Sequence, residues 1–321
     1  MSALPPGVGE KLALLGLDPA DVVRVVRTAF AEDFSFGPDV TTLATIPAEV
    51  TGTADFVARA PGVVAGLPVV DVVFAVVGGD DGFAESVQHS AQPIVVPDRT
   101  LRGFPQIDVE HRVTDGDRIR PGDVLATVHG PLRAILTAER TALNLVTHLS
   151  GIASLTRLWS DAVEGAGARV RDTRKTLPGL RMLEKYAVRC GGGVNHRMGL
   201  GDAALIKDNH VAGAGSVAAA FAAVRERAPD LAVEVECDTL EQVLEAVEVM
   251  ADLILLDNFG VDEMRRAVEL VGGRALLEAS GGLRLETAAE VASTGVDYLA
   301  VGALTHSAAA LDIGLDMVGL V

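Results

Sequence analysis

The sequence predicts an α/β protein in two parts, a mixed N-terminal portion followed by repeated βα units. Three observations carry this. From Ala168 onward, six short segments rich in β-branched residues (ARVRD, ALIKD, LAVEVEC, DLILLDN, RALLEAS and DYLAVGA) alternate with amphipathic helical stretches. That alternation is the pattern of a parallel sheet, either closed as a barrel or open and doubly wound. Before it, β-rich segments punctuated by Gly and Pro run to about Gly130. With 321 residues, 49% hydrophobic and 22% charged, the chain can bury a large core in one domain or two.

Taken in order, Asp18 and Pro19 read as N-cap and first residue of a helix whose apolar face runs through Val22, Val23, Val26 and Phe30. The apolar run Val63 to Val77 is interrupted by Pro68 and Asp71, so it reads as a buried strand or helix. No apolar run approaches the ~20 residues that span a bilayer. Between Asp80 and Val113 lies a polar, Pro-containing stretch without periodicity, read as an exposed, disordered loop. Asp115 to Leu125 predicts paired short strands with a turn at each Gly. It resembles the hammerhead of biotinyl and lipoyl carriers, but no lysine stands at a hairpin tip. Pro131 to about Glu164 reads as a long helical region, broken or bent near Ser150-Gly151. The boundaries that follow are 1–130 for an N-terminal domain and 131–321 for a helical linker plus catalytic domain, whose C-terminal tail is free to return to the first.

Charge points to function. The chain carries a formal net charge of −17, yet residues 171 to 210 hold eight Arg and Lys against four acids. An acidic protein that gathers its cations in one Gly-containing segment is building a pocket for a polyanion. The acidic balance argues against nucleic acid as partner. Two cysteines, Cys190 and Cys237, give neither a disulfide framework nor metal-ligand spacing and are expected to be reduced. The N-terminus lacks a basic region followed by an apolar one, which predicts a cytoplasmic protein without a membrane partner.

Functional groups of α/β barrels sit at the carboxyl ends of strands. Here the six strands end at Asp172-Thr173-Arg174-Lys175, Lys207-Asp208-Asn209-His210, Glu234-Val235-Glu236, Asp257-Asn258, Ser280-Gly281-Gly282 and Gly302-Ala303. Arg174, Lys175, His196, Arg197 and Lys207 suit carboxylates and phosphates, Arg through a planar fork and Lys as a point charge. Glu236 and Asp257 suit Mg²⁺ or sugar hydroxyls. Glu234 lies two residues before Glu236 on the same face, and the one nearer the strand end reaches the ligand. Ser280-Gly281-Gly282, opening a helix near Leu283, and the loop Gly302-Ala303 suit a phosphate. Each group has a plainer reading, Lys207 as a surface ion-pair partner of Asp208 and Asp257 as a helix cap. Together they describe a pocket for a phosphorylated sugar and a second anion.

These residues carry a resemblance. TAERTALNLVTHLSGIAS (137–154), DTRKTLPGLR (172–181), GGGVNHRMGLGDAALIKDNH (191–210), EVEC (234–237), LLDN (255–258), EASGGL (278–283) and DYLAVGALTH (297–306) are similar to quinolinate phosphoribosyltransferases, as are Glu32-Asp33 and Asp39 to Thr42. The stretch from about 82 to 107 is longer and more polar than the family pattern. The resemblance implies an N-terminal α/β sandwich domain followed by an open (β/α) barrel, in a homodimer with a shared active site. It implies a reaction that joins quinolinate to phosphoribosyl pyrophosphate with Mg²⁺, giving nicotinate mononucleotide, pyrophosphate and CO₂ in NAD biosynthesis. Arg140 would then enter the partner's site, and Thr173, Val301, Gly302 and Ala303 would complete the substrate contacts. Three rivals stay open: a paralogue of altered substrate associated with molybdenum transport operons, an aldolase with Lys207 as Schiff base, and a silent binder using the hammerhead-like segment.

Overall fold

The structure is a computed structural model that describes residues 4–78 and 107–320, so the polar stretch expected at about 82–107 lies outside the described residues except for Ile107. The described residues group into two units, one drawn from 4–78, 107–154, 178–190 and 308–320, the other from 155–177 and 191–307.

In the first unit, α1 (Val8–Leu14), α2 (Pro19–Asp33) and α3 (Val40–Thr45) precede β1 (Thr51–Ala58), β2 (Gly62–Val63) and α4 (Leu67–Gly78). The Asp18 carboxylate accepts from the Ala20 N–H, so the cap-and-proline signal starts α2 where it was read. The Val63–Val77 run divides into β2 and α4, and α4 is apolar nearly all round because nine of its residues are buried. Phe74 of α4 meets Phe56 of β1 edge to face, ring centroids 6.2 Å apart.

Beyond the undescribed stretch come β3 (Asp108–His111), β4 (Arg118–Ile119) and β5 (Val124–Pro131). The turn at Asp115 serves the fold: its carboxylate accepts from the Gly66 and Leu67 N–H groups at 2.7 and 3.1 Å and from the Tyr186 hydroxyl at 2.7 Å. It thereby caps α4, a structural use for the segment that resembles a carrier hammerhead. The C-terminal strand β12 (Ile313–Leu320) pairs antiparallel with β1, giving a sheet of order β12-β1-β5-β3.

The long helix α5 (Leu132–Ala162) runs without interruption through Ser150-Gly151, which corrects the expected break. Gly151 is there for a close approach: a Cβ at this position would lie 2.1 Å from the Ala309 carbonyl oxygen. The Ser150 hydroxyl receives the Ala65 N–H at 3.0 Å instead of bending its own helix.

The second unit is a parallel sheet. After β6 (Arg169–Arg171) and the first-unit helix α6 (Arg181–Cys190), the chain forms β7 (Ala204–Ile206), α7 (Asp208–Ala214), α8 (Val217–Arg227) and β8 (Val233–Cys237). It continues through α9 (Leu240–Glu248), β9 (Leu253–Asp257), α10 (Val261–Val271) and β10 (Leu276–Ser280). A 3₁₀ turn (Leu285–Thr287), α11 (Ala288–Ala292), β11 (Tyr298–Ala300) and α12 (Ala303–His306) complete the unit. All six strands expected from the sequence are present, in the order β6-β11-β10-β9-β8-β7. In that order the first and second strands are the two edges, unpaired with each other among the described residues, so the sheet is open. Every strand therefore ends on one rim, and the rim residues converge.

Candidate active site

At this rim a cavity of about 470 Å³ is lined by Thr173, Arg174, Lys175, His196, Arg197, Leu205, Lys207, Glu236, Leu255, Asp257, Glu278, Ser280 and Ala300. Nine of the residues singled out from the sequence thus share one pocket. Gly281, Gly282, Val301 and Gly302 lie in the adjoining turns, and Ala303 opens α12, all outside the lining. Arg140 is exposed on α5 in the first unit, outside this lining.

The cations are placed by backbone devices. Buried Asp172 accepts from the His196 N–H at 2.8 Å and from the Asn195 side-chain amide, which fixes the 195–197 loop against the end of β6. Lys175 N–H donates to the Thr173 hydroxyl at 3.0 Å, and the Thr305 hydroxyl donates to the Lys175 carbonyl at 2.8 Å. Gly302 is small because the Lys175 chain passes it: an added Cβ would meet Lys175 Cδ at 3.0 Å. Arg197 donates through Nη1 to the Ala203 carbonyl at 3.1 Å. Burial, and then the neighbouring Arg174, weaken the hold of Arg197 on its proton. Arg174 Nε is a buried donor without an acceptor. Two guanidiniums set close enough to repel, one with an unspent donor, form a receptor for an anion.

His196, read from the sequence as an anion contact, lies in the pocket lining and is held on both sides of its ring. Its Nδ1 accepts the Arg197 N–H at 2.6 Å, and its Nε2 lies 2.8 Å from Glu234 Oε2. The ring walls the pocket and anchors Arg197. Behind it, Glu278 receives Arg171 Nη1 at 2.7 Å, with Arg171 stacked over Tyr298 at 4.7 Å. Burial, and then the nearby Glu234 carboxylate, push Glu278 up to about 7. The sequence names Asp172 only as part of a strand end and Arg171 only within the basic segment, and gives Glu278 no role of its own; the signal for all three is a charged residue in or at the end of an apolar strand, as in RALLEAS and ARVRD.

The acids divide as their strand positions require. Glu234 is buried against His196, whereas Glu236, one pleat further out, pairs with Lys207. That pairing replaces the Lys207–Asp208 contact considered from sequence. Asp257 Oδ2 accepts from the Asn258 side-chain amide at 2.8 Å. Hard carboxylate oxygens on adjacent strands fit Mg²⁺, which takes one or two carboxylates and fills its shell from phosphates and water. A second group, His196, Glu234 and Glu278, has ligand atoms within 4.8 Å of one another. Its acids already face the imidazole and Arg171, so it reads as an ion-pair network.

The phosphate turn also differs from expectation. No helix starts at Leu283: Gly281 and Gly282 take φ of 85° and 60°, and the chain enters only a 3₁₀ turn at Leu285 and a short helix at Ala288. Left-handed residues cannot nucleate a right-handed helix, so the donors here are turn N–H groups. Both cysteines are free, and burial pushes each thiol up to about 12.

With this geometry in place, the comparisons are specific. Family models described as quinolinate phosphoribosyl transferase, N-terminal domain and C-terminal domain, match residues 39–150 and 152–316. The chain is 53% identical over 295 residues to the carboxylating nicotinate-nucleotide pyrophosphorylase of Mycobacterium leprae (strain TN), covering 91% of this chain and 95% of that one. A probable enzyme of the same name from Bacillus subtilis (strain 168) is 39% identical, with 92% of each covered. Among solved structures, NadC from Streptococcus pyogenes superposes with a TM-score of 0.80 at 36% identity, covering 95% of this chain and 98% of that one.

Proposed function

The chain belongs to the quinolinate phosphoribosyltransferase family, and on that premise we propose how its site works. It is an enzyme of de novo NAD biosynthesis that transfers phosphoribosyl from phosphoribosyl pyrophosphate to quinolinate with decarboxylation, giving nicotinate mononucleotide, pyrophosphate and CO₂. The observation that supports this most is the crowded pair Arg174 and Arg197, which share one pocket with an acidic floor of Glu236 and Asp257 and with Ser280 of the phosphate turn. A dicarboxylate relieves the repulsion between the guanidiniums, and a sugar phosphate spans the floor and the turn.

Arg174, Arg197 and Lys207 hold the two quinolinate carboxylates against the His196 wall. Ser280, Gly281, Gly282, Gly302 and Ala303 offer the 5′-phosphate its donors, while Glu236 and Asp257 face the ribose hydroxyls. Lys175 and Lys207 meet the pyrophosphate or the carboxylate. Mg²⁺ held by Glu236 and Asp257 would supply charge neutralisation for the pyrophosphate. The pyridine nitrogen attacks C1′ as the C1′–O bond breaks, and the electron pair leaves with pyrophosphate. The ribosylated ring is cationic, so it stabilises the electron pair left on C2 when the adjacent carboxylate departs as CO₂; a proton from solvent then completes C2. The protein contributes position and electrostatics, without a covalent enzyme intermediate.

No helix among the described residues is long and apolar enough to cross a membrane. Exposed Arg140 fits the reading of a homodimer in which it binds a carboxylate in the second copy's site. Commitment of Lys207 to Glu236 opposes the aldolase reading, since a Schiff-base lysine needs an apolar setting. The test is a parallel assay with phosphoribosyl pyrophosphate and Mg²⁺, offering quinolinate or nicotinate and following mononucleotide and CO₂. Product and gas from quinolinate alone are expected; turnover of nicotinate without gas would refute the acceptor assignment.

A further inference from the structure

The turn after β9 contains a strained residue that touches both halves of the sugar-phosphate site. Asn258 has φ of 59°, and among the described residues only Met250 shares positive φ without being glycine. Asn tolerates this region better than most residues, but it still requires compensation from its surroundings. Here the compensation comes from three directions. The Asn258 N–H donates to the Ser280 carbonyl at 2.9 Å, tying the end of β9 to the end of β10. Its side-chain Nδ2 donates to Asp257 Oδ2 at 2.8 Å. Its amide oxygen lies over Gly281, where an added Cβ would come within 2.2 Å of it.

We propose that Asn258 is a positioning residue that locks the Asp257 carboxylate and the Ser280–Gly282 turn into one register, so that a phosphorylated pentose is gripped at its hydroxyls and its phosphate by a single rigid frame. The inference rests on reading these two groups as the sugar-phosphate site. Asp257 and Ser280 are already register partners across the sheet, so the strands set their spacing to within a residue. Asn258 adds what the ladder does not: the rotation of the carboxylate, because one oxygen is committed to the amide, and the path of the turn, because Gly281 is pressed against the side chain. The residue type follows. Glycine would accept the backbone angle but supplies no donor, aspartate would place a second negative charge beside Asp257, and alanine loses the donor and resists the angle.

The test uses the full-length protein, with Asn258→Gly as the principal variant because it keeps the backbone angle, and Asn258→Asp as the size-matched variant without a donor. Calorimetric titration with ribose 5-phosphate reads the frame directly. Kinetics then separate KM for phosphoribosyl pyrophosphate from KM for quinolinate. For both variants the expected result is ribose 5-phosphate binding weakened about tenfold or more, the usual consequence of losing one hydrogen bond to a charged group. KM for phosphoribosyl pyrophosphate should rise in step, with quinolinate affinity by direct titration unchanged. Unaltered ribose 5-phosphate affinity in Asn258→Gly, or quinolinate affinity falling in parallel, overturns the proposal. Wild-type protein that binds ribose 5-phosphate but does not turn over quinolinate would refute the acceptor assignment while leaving the frame intact. Quinolinate turnover without ribose 5-phosphate binding would refute the frame alone.

Discussion

Glu278→Gln tests the electrostatics beneath the pocket. Glu278 is fully buried, with one oxygen 2.7 Å from Arg171 Nη1 and the other, Oε1, without a hydrogen-bond partner. Burial and the neighbouring Glu234 outweigh the help of His196 and Arg171, which raises the carboxyl from an ordinary 4.5 to about 7. A group raised on folding favours the folded state while it is protonated. Its contribution is therefore complete below about pH 4.5 and is lost as pH rises through about 7. Converted by linkage, that loss is about 3 kcal/mol between acid and mildly alkaline conditions. Glutamine keeps the shape and an acceptor for Arg171 but never ionises. Urea-unfolding midpoints of the two proteins, measured from pH 5 to 9, should therefore diverge. At pH 5 they should agree to within about 1 kcal/mol, and at pH 8 the variant should be the more stable by about 2–3 kcal/mol. Parallel curves, or a variant weaker at pH 8, would refute the balance of burial against ion pairing argued here.

The same carboxyl should report ligand binding: a dianion above it favours its protonated form, so quinolinate titrations at pH 7 to 8 in buffers of different ionisation enthalpy should show proton uptake that Glu278→Gln abolishes. Lys175→Ala and Lys207→Ala should each lower kcat/KM roughly a hundredfold or more with melting temperature retained; full activity in either removes that lysine from the mechanism. Gly281→Ala combines φ of 85° with a Cβ placed against Asn258, so it should destabilise by about 1–3 kcal/mol and weaken ribose 5-phosphate binding. Inactive Arg140→Ala and Lys175→Ala proteins, mixed under conditions of proven subunit exchange, should regain about a quarter of wild-type activity if sites are built across a two-fold interface; no recovery counts against the shared site.

Much of this was legible in the sequence because strands announce themselves and their ends carry chemistry. All six parallel strands, and the rim cations and acids they deliver, could be read from apolar segments that end in polar residues. Roles depending on long-range contacts could not. Gly151 looked like a helix break, because nothing local says that the backbone at Ala309 will press against it. Ser280-Gly281-Gly282 looked like a helix entry, because composition does not reveal that both glycines take left-handed angles. Nothing local to His196 says that the fold brings Glu234 to one side of its ring while the Arg197 N–H claims the other.

The site is held in opposed charge, and the proposed assignment makes this the control on how substrate enters. Lys207 is bound to Glu236, while Arg174 and Arg197 repel each other with a donor unspent. An incoming carboxylate therefore gains most at the guanidinium pair, where it relieves repulsion without breaking a bond. At Lys207 it must displace an existing carboxylate. Taking Lys207 from Glu236 then frees that acid for a ribose hydroxyl or a metal ion. On the proposed assignment this exchange would couple quinolinate binding to readiness for the sugar, and thermodynamic linkage would make the coupling reciprocal. Glu236→Gln separates the two halves: it should leave quinolinate bound as tightly as before or tighter, since Lys207 is released, while weakening phosphoribosyl pyrophosphate. Direct titration of each ligand checks this, and quinolinate binding that weakens along with the sugar would show that the ion pair organises the pocket rather than competing with substrate.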